Sequence, residues 1–107
     1  MAIEHVTSSG NVFADLGLSD PEGRLVKSKL AAALQRSMGE LGLTQTAASA
    51  RMGMPQPKLS NLLRGLFRGF SERRLMNCLT RLGRDVQIVV KATPRSRSDG
   101  RLSVVFV

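Results

Sequence analysis

The sequence lacks several residues on which small proteins commonly build an enzymatic or extracellular site. Its 107 residues include no tryptophan, no tyrosine, one cysteine (Cys78) and one histidine (His5). A single cysteine cannot form an internal disulfide, which fits a reducing compartment, and without a Cys/His cluster zinc binding is disfavoured. His5 lies in a stretch without periodicity, so no histidine-based catalytic pair is evident. We therefore predict no enzymatic activity, no catalytic residues, no metal and no cofactor.

Long apolar runs and a secretory leader are also missing. No run approaches the roughly 20 residues that span a bilayer. The first ten residues, MAIEHVTSSG, have no basic start followed by an apolar stretch. The segment GLFRG at 65–69 lacks the lysine and the spacing of a phosphate-binding loop. These absences predict a cytoplasmic protein with neither a membrane partner nor an evident small-molecule substrate.

Positive charge is concentrated in the middle of the chain, whose overall net charge is +8. Residues 51–84 hold eight basic residues against one acidic residue, whereas residues 1–50 carry a net charge of −1 and residues 85–107 carry +2. A solvated helix surface normally mixes both signs, so this excess favours a polyanionic partner, either nucleic acid or an acidic protein. Single-stranded RNA is disfavoured, because four phenylalanines alone offer no evident platform for base stacking.

Capping residues and hydrophobic periodicity divide the chain into three regions. Residues 1–10 are predicted to be a mobile tail, and residues 11–84 a helical domain. This domain is predicted to open with NVFADLGLSD as a short helical turn or an ordered strap laid against the main body. Its first long helix is predicted to begin at Asp20-Pro21 and to end at Gly42. The stripe that this helix is predicted to bury consists of Leu25, Leu30, Ala33, Leu34, Met38 and Leu41.

The sequence further predicts three shorter helices and, after them, a change from helical to strand-like spacing of the apolar residues. The starts are expected at Thr44, near Pro55 and at Ser71, and the ends at Gly53, Gly65 and Gly83. Beyond them, DVQIVVKA and RLSVVFV alternate like strands and are separated by turn residues. The predicted fold class is mainly α, with four to five helices followed by a C-terminal β-hairpin or dimer-pairing strands at 85–107. Because an isolated hairpin is marginal in water, this one is expected either to lie on the helices or to pair with a second copy of itself. Its apolar C-terminal edge favours self-pairing, so we also predict a homodimer.

The segment TQTAASARMGMPQPKLSNLLRG, residues 44–65, has the features of a helix-turn-helix. Two short helices joined by a tight turn allow the second helix to enter the major groove while the first braces it. The residues predicted to hold this unit together are Ala48, Ser49, Gly53, Met54, Leu59 and Leu62.

The outer face of the second short helix carries polar and basic side chains that suit base edges. Glutamine and asparagine can pair with adenine, and arginine and lysine with guanine. The predicted base-contacting residues are Gln56, Pro57, Lys58, Ser60, Asn61 and Arg64. The predicted phosphate-contacting residues are Thr44, Gln45, Arg51, Arg68 and Arg73. The indicated partner is double-stranded DNA, and the competing interpretation is a helical bundle with a polar outer face.

The same motifs resemble known families. Residues 44–64 are similar to the helix-turn-helix of Cro/cI-type (XRE) repressors, with Ser49 where that family usually has alanine. Residues 11–91, with NVFADLGLSDPE and QPKLSNLLRG, resemble HigA-like antitoxins, which are encoded beside RelE-like mRNA-cleaving toxins. This resemblance implies a dimeric autorepressor that also neutralises a RelE-like toxin. It aligns Gln56, Lys58, Ser60 and Asn61 with the recognition helix. The alternatives are an inhibitor that mainly neutralises a toxin and a stand-alone phage-type repressor.

Overall fold

The computed structural model describes residues 21–107, in which four helices precede an extended C-terminal segment. The helices are α1 (Pro21–Leu41), α2 (Gln45–Met52), α3 (Gln56–Leu63) and α4 (Glu72–Arg81). The predicted tail at 1–10, the strap at 11–20 and the cap at Asp20 lie outside the described residues. Within residues 21–107, no helix is long and apolar enough to cross a membrane.

Capping side chains set the starts of α2 and α4, as the sequence predicts. The Thr44 side chain accepts a hydrogen bond from the Ala47 N–H at 3.1 Å and so caps α2. The Ser71 side chain accepts from the Arg74 N–H, also at 3.1 Å, and caps α4. Each cap satisfies a backbone donor that the first turn of a helix leaves unpaired. All four helices begin within one or two residues of their predicted starts.

The buried stripe of α1 differs at its edges from the prediction. Leu25 and Leu41 were expected in the core, but their side chains are 53% and 42% exposed. Val26 is buried instead, four residues before Leu30 and eight before Leu34, so the three lie on one side of the helix. Leu25 is one position earlier, about 100° around the helix axis, and points away from this line. The other predicted positions of the stripe are buried.

The four helices share one hydrophobic core. Helix α1 packs against α3 and α4, and α2 packs against the same two helices. The leucines buried most completely are Leu34, Leu59, Leu62, Leu75 and Leu82. Burying each such side chain favours folding by about 1.5–3 kcal/mol. The core therefore holds both short helices of the 44–65 segment against α1 and α4.

Cys78 lies in this core with 3% of its surface exposed. Burial raises the pKa of its thiol, and this effect exceeds the lowering by the positive charges of Arg74 and Arg81. The thiol is therefore held in its neutral form, which is a weak nucleophile.

The predicted C-terminal β-hairpin is wrong for the described chain, because residues 85–107 form no strand. The two halves are extended, and the Arg97 N–H donates to the Pro94 carbonyl at 3.1 Å in the turn that separates them. The alternation of RLSVVFV does appear in its burial, since Leu102, Val104 and Phe106 are half-buried against the helical core. An isolated hairpin is marginal in water, and of the two placements expected for this segment, packing on the helices is the one observed for these three side chains.

Polar and aromatic contacts hold both ends of this extended segment on α1. Just before it, Arg84 donates to Ser37 Oγ at 3.1 Å and to Glu40 Oε1 at 2.5 Å. Near its end, the Phe106 ring centroid lies 4.3 Å from the guanidinium carbon of Arg36. Ser37 is fully buried, and its hydroxyl donates to a backbone carbonyl one turn earlier, which leaves the oxygen free to accept from Arg84. The chain after α4 therefore contacts α1 both where it begins, at Arg84, and near its end, at Phe106.

Candidate nucleic-acid interface

Helices α2 and α3 form a helix-turn-helix whose contact surfaces are buried. Ala48 and Leu59 have no exposed surface, and Met54 is 7% exposed. Ser49 is also buried, and its hydroxyl donates to the Thr46 carbonyl of the same helix at 2.9 Å. A buried hydroxyl without a partner would destabilise this contact, so the bond lets serine occupy a position of close packing.

The turn between α2 and α3 is built on Gly53. Its φ of +72° lies in the left-handed region, and its N–H donates to the Ala50 carbonyl at 3.3 Å. A β-carbon at this position would lie 3.1 Å from Nη1 of Arg81, whose side chain approaches the turn from α4. Any other residue would therefore strain the backbone and displace the Arg81 side chain.

Gly53→Ala is expected to lower the free energy of unfolding by about 1–2 kcal/mol, the penalty for a non-glycine residue in this conformation. Gly39→Ala is the matched control, because Gly39 lies inside α1 with no atom near its missing β-carbon. That change is expected to stabilise the protein by about 0.5–1 kcal/mol. Urea unfolding followed by circular dichroism measures both variants, and equal effects would contradict the role of Gly53.

A hydrogen bond between two glutamines joins the first turns of α2 and α3. Gln45 Oε1 accepts from Gln56 Nε2 at 2.8 Å, and both side chains are half-buried. Each glutamine is the first residue of its helix, so the bond fixes the start of α3 against the start of α2. Gln56 retains its carbonyl oxygen and one amide hydrogen for a ligand. Gln45 is predicted from the sequence as a phosphate contact, and this positioning role is not. The glutamine at the first position of both helices is the one signal of it in the sequence.

Lys58 is directed toward the loop that follows α3. Its ammonium lies 5.4 Å from the centroid of the Phe70 ring, and the guanidinium of Arg74 lies 5.0 Å from the same centroid. Phe70 is 3% exposed, so its ring is held firmly by the core. Such cation–π contacts contribute roughly 0.5–1 kcal/mol each at exposed sites. Phe70 and Arg74 were not among the predicted site residues, because only the folded chain places them beside Lys58.

The remaining predicted base contacts are spread along α3. Pro57 and Asn61 are exposed, and Ser60 is half-buried. Arg64 follows the last turn of α3, and its guanidinium donates to Asn61 Oδ1. The fold therefore pairs Asn61 with Arg64 at the C-terminal end of α3, while Gln56 is paired with Gln45 at the N-terminal end.

The predicted phosphate contacts lie in four places. Thr44 and Gln45 are at the start of α2, where unpaired N–H groups can receive a phosphate. Arg68 is exposed in the loop between α3 and α4, and Arg73 is exposed in the first turn of α4. Arg51 is exposed in the last turn of α2, at the opposite end of that helix from Gln45. The fold thus places Arg51 beside the turn and apart from the other α2 contacts.

The surface of residues 51–84 is more positive than their sequence alone implies. Their one acidic residue, Glu72, is 8% exposed and lies in the first turn of α4, where the helix dipole favours a carboxylate. The exposed basic residues of this stretch are Arg51, Arg64, Arg68, Arg73 and Arg81. A surface with one sign of charge attracts a polyanion in a salt-dependent manner.

Comparison with known proteins agrees with this architecture. Residues 12–91 match a family described as a helix-turn-helix domain. A solved structure named as an XRE family transcriptional regulator is 45% identical, with a TM-score of 0.75, over 80% of this chain and 97% of that chain. No curated protein matches the chain. The protein therefore belongs to the XRE-type helix-turn-helix family of transcriptional regulators.

Proposed function

We propose that this protein is a sequence-specific, double-stranded-DNA-binding regulator that represses its own operon. The observation that carries the proposal is the hydrogen bond between Gln45 and Gln56, which fixes the first residue of α3 and leaves Gln56 free to bind a base edge. Pre-ordered side chains lose less conformational entropy on binding than mobile ones. The positive surface around α3 adds the attraction for phosphate that such binding requires.

In this proposal α3 enters the major groove and reads bases at both of its ends. At the N-terminal end, the Gln56 carbonyl accepts from adenine N6 while its remaining amide hydrogen is donated to N7. At the C-terminal end, Arg64 donates to guanine O6 and N7. Asn61, to which Arg64 donates in the free protein, is its neighbour. The eight residues of α3 make it about 12 Å long, which is the length of three to four base pairs along the groove.

The contacts that set affinity rather than sequence preference lie beside this helix. Unpaired N–H groups at the start of α2 receive one phosphate, with Gln45 as a neighbouring donor. Arg68 and Arg73 bind phosphates on the side of the loop between α3 and α4. Lys58 is held against Phe70 and reaches either a base or a phosphate from that position.

We further propose that two copies bind one roughly palindromic site. Support comes from the extended C-terminal segment, where Val89, Val90, Val105 and Val107 are 73%, 62%, 78% and 109% exposed. Exposed valines on extended chain favour pairing with another strand. Dimeric helix-turn-helix proteins contact half-sites about one helical turn of DNA apart.

We also propose that the protein is an antitoxin that neutralises a toxin encoded in the same operon. This role is supported by the resemblance of residues 11–91 to HigA-like antitoxins. It predicts that the product of an adjacent gene copurifies with this protein and is inhibited by it. Copurification and inhibition in the absence of specific DNA binding would favour the alternative, an inhibitor that mainly neutralises a toxin. Specific DNA binding without a toxin would favour a stand-alone phage-type repressor.

The test of the DNA-binding proposal is fluorescence anisotropy on DNA from just upstream of the gene, compared with a scrambled duplex across a salt series. We expect the upstream DNA to bind at least about 10³-fold more tightly than the scrambled duplex. The complex at saturation should contain two chains per site by analytical ultracentrifugation. Weak and equal binding to both duplexes, with a steep salt dependence, would leave only a basic surface and would contradict the proposal.

A further inference from the structure

A shallow trough runs along α1 on the side that faces the end of α3. One part has a volume of about 190 Å³, and its lining includes Ser28, Ala32, Leu63 and Phe67. A second hollow is lined by Arg24, Leu25, Ser28 and Phe67. Because the two hollows share Ser28 and Phe67, they form one continuous trough. Its floor is mostly apolar, and Leu25 in its lining is 53% exposed.

The chain that precedes α1 has the composition and the length to cover this trough. Residues 11–20, NVFADLGLSD, carry Val12, Phe13, Leu16 and Leu18 and join α1 at its first residue. An extended chain spans about 3.3–3.6 Å per residue, so Leu16 can lie up to roughly 17 Å from the start of α1. Ala32 lies about 16 Å along α1, since a helix rises 1.5 Å per residue. A segment that folds back along α1 therefore reaches the whole trough.

Charge and the extent of the family match point to the same occupant. The match begins at residue 12, so most of this segment belongs to the matched unit, whereas residues 1–11 do not. Residues 1–20 contain Glu4, Asp15 and Asp20 and no lysine or arginine. Arg24 lines the trough, and Arg68 follows Phe67 at its edge. The charge of the segment is therefore complementary to that of the rim.

We propose that residues 11–20 of the same chain dock in this trough, anchored by Phe13 and Leu16. The docked segment covers Leu63, at the end of α3, and Phe67, in the loop that carries Arg68. It thereby supports, from the side of α1, the elements that bear Arg64 and Arg68. The other conceivable occupants are the same segment of a second copy and a separate protein.

The test uses the full-length chain with Phe13→Trp, because the protein contains no other tryptophan and the introduced indole is then the sole reporter. We expect the fluorescence emission of this tryptophan to be blue-shifted and to be quenched little by acrylamide. Both properties should hold at all protein concentrations. Val6→Trp, outside the matched unit, is the control and should behave as a solvent-exposed indole.

A second substitution in the Phe13→Trp protein locates the docking site. Ala32→Arg places a charge in the trough at an exposed position and is expected to return the emission of the introduced tryptophan to that of exposed indole. Gly39→Arg is the matched control on the same helix, in open space and outside the trough, and should leave the emission unchanged. In the otherwise unaltered chain, the double variant Phe13→Ala/Leu16→Ala should lower Tm by about 4 °C or more.

Three results would overturn this inference. They are a solvent-like emission of the Phe13→Trp protein, an emission shift that requires high protein concentration, and an unchanged Tm of the double alanine variant. The second result would assign the trough to a neighbouring copy. None of these readouts involves DNA, so the inference can fail while the proposed function stands, and the reverse also holds.

Discussion

Leu59→Ala is expected to lower the free energy of unfolding by about 2–5 kcal/mol. Leu59 is fully buried in α3, between the other short helix of the unit and the rest of the core. Its truncation removes apolar burial and leaves a cavity that the neighbouring helices can only partly fill. Since a domain of this size is stable by only about 5–15 kcal/mol, the loss is a large fraction of the total. Thermal and urea unfolding followed by circular dichroism measure it.

Leu66→Ala is the matched control for this change. It removes the same atoms from a leucine that is 53% exposed, just beyond the end of α3. We expect an effect within about 0.5 kcal/mol, as for most surface substitutions. If the two variants were equally stable, α3 would not be anchored through Leu59, and the rigid presentation of its outer face would have no basis.

Asn61→Ala is expected to weaken binding to the specific DNA site by about 1–3 kcal/mol while changing binding to scrambled DNA little. The reason is that Asn61 is exposed on the outer face of α3 and also accepts a hydrogen bond from Arg64. Its removal deletes a possible base contact and frees the arginine that it holds. Because the two side chains touch, the effects of Asn61→Ala and Arg64→Ala should not add in the double variant. Anisotropy titrations on both duplexes measure these differences.

Arg68→Ala provides the contrasting result in the same assay. A phosphate contact carries no sequence information, so this variant should bind both duplexes more weakly and by the same factor. The slope of log K against log salt should fall in magnitude by about 1. Lys29→Ala, an exposed basic residue of α1, is the control and should change the slope little. Equal losses on both duplexes for Asn61→Ala as well would contradict the assignment of α3 as the recognition helix.

The local structure of this protein was predictable because its determinants lie a few residues apart. Thr44 and Ser71 cap their helices through N–H groups three residues later, and Gly53 ends α2 by its own backbone freedom. The helix-turn-helix follows from the same short-range signals together with the 3.6-residue spacing of apolar positions. The concentration of basic residues at 51–84 was equally visible, because charge is a property of composition.

Contacts between distant residues could not be predicted in this way. Val26 is buried in the core and Leu25 is not, because of how α1 is rotated about its axis relative to the other helices. Hydrophobic periodicity defines this rotation only to within one residue position. The role of Gln45 depended on α2 and α3 meeting at their first turns, and that of Phe70 on the path of the loop after α3. The alternation of residues 101–107 suggested a hairpin, but the same alternation equally suits an extended chain packed on helices.

By itself, the sequence determined the helices, the caps at Thr44 and Ser71, the helix-turn-helix and the sign of the charge on its surface. The tertiary structure decided which glutamine positions α3, which ring holds Lys58 and where the chain after α4 lies. The contact between Ser37 and Arg84 spans 47 residues of sequence, and no local pattern encodes a pairing of that length. Such contacts form only because the shared core first brings α1 and α4 together, so they depend on the packing of the whole domain.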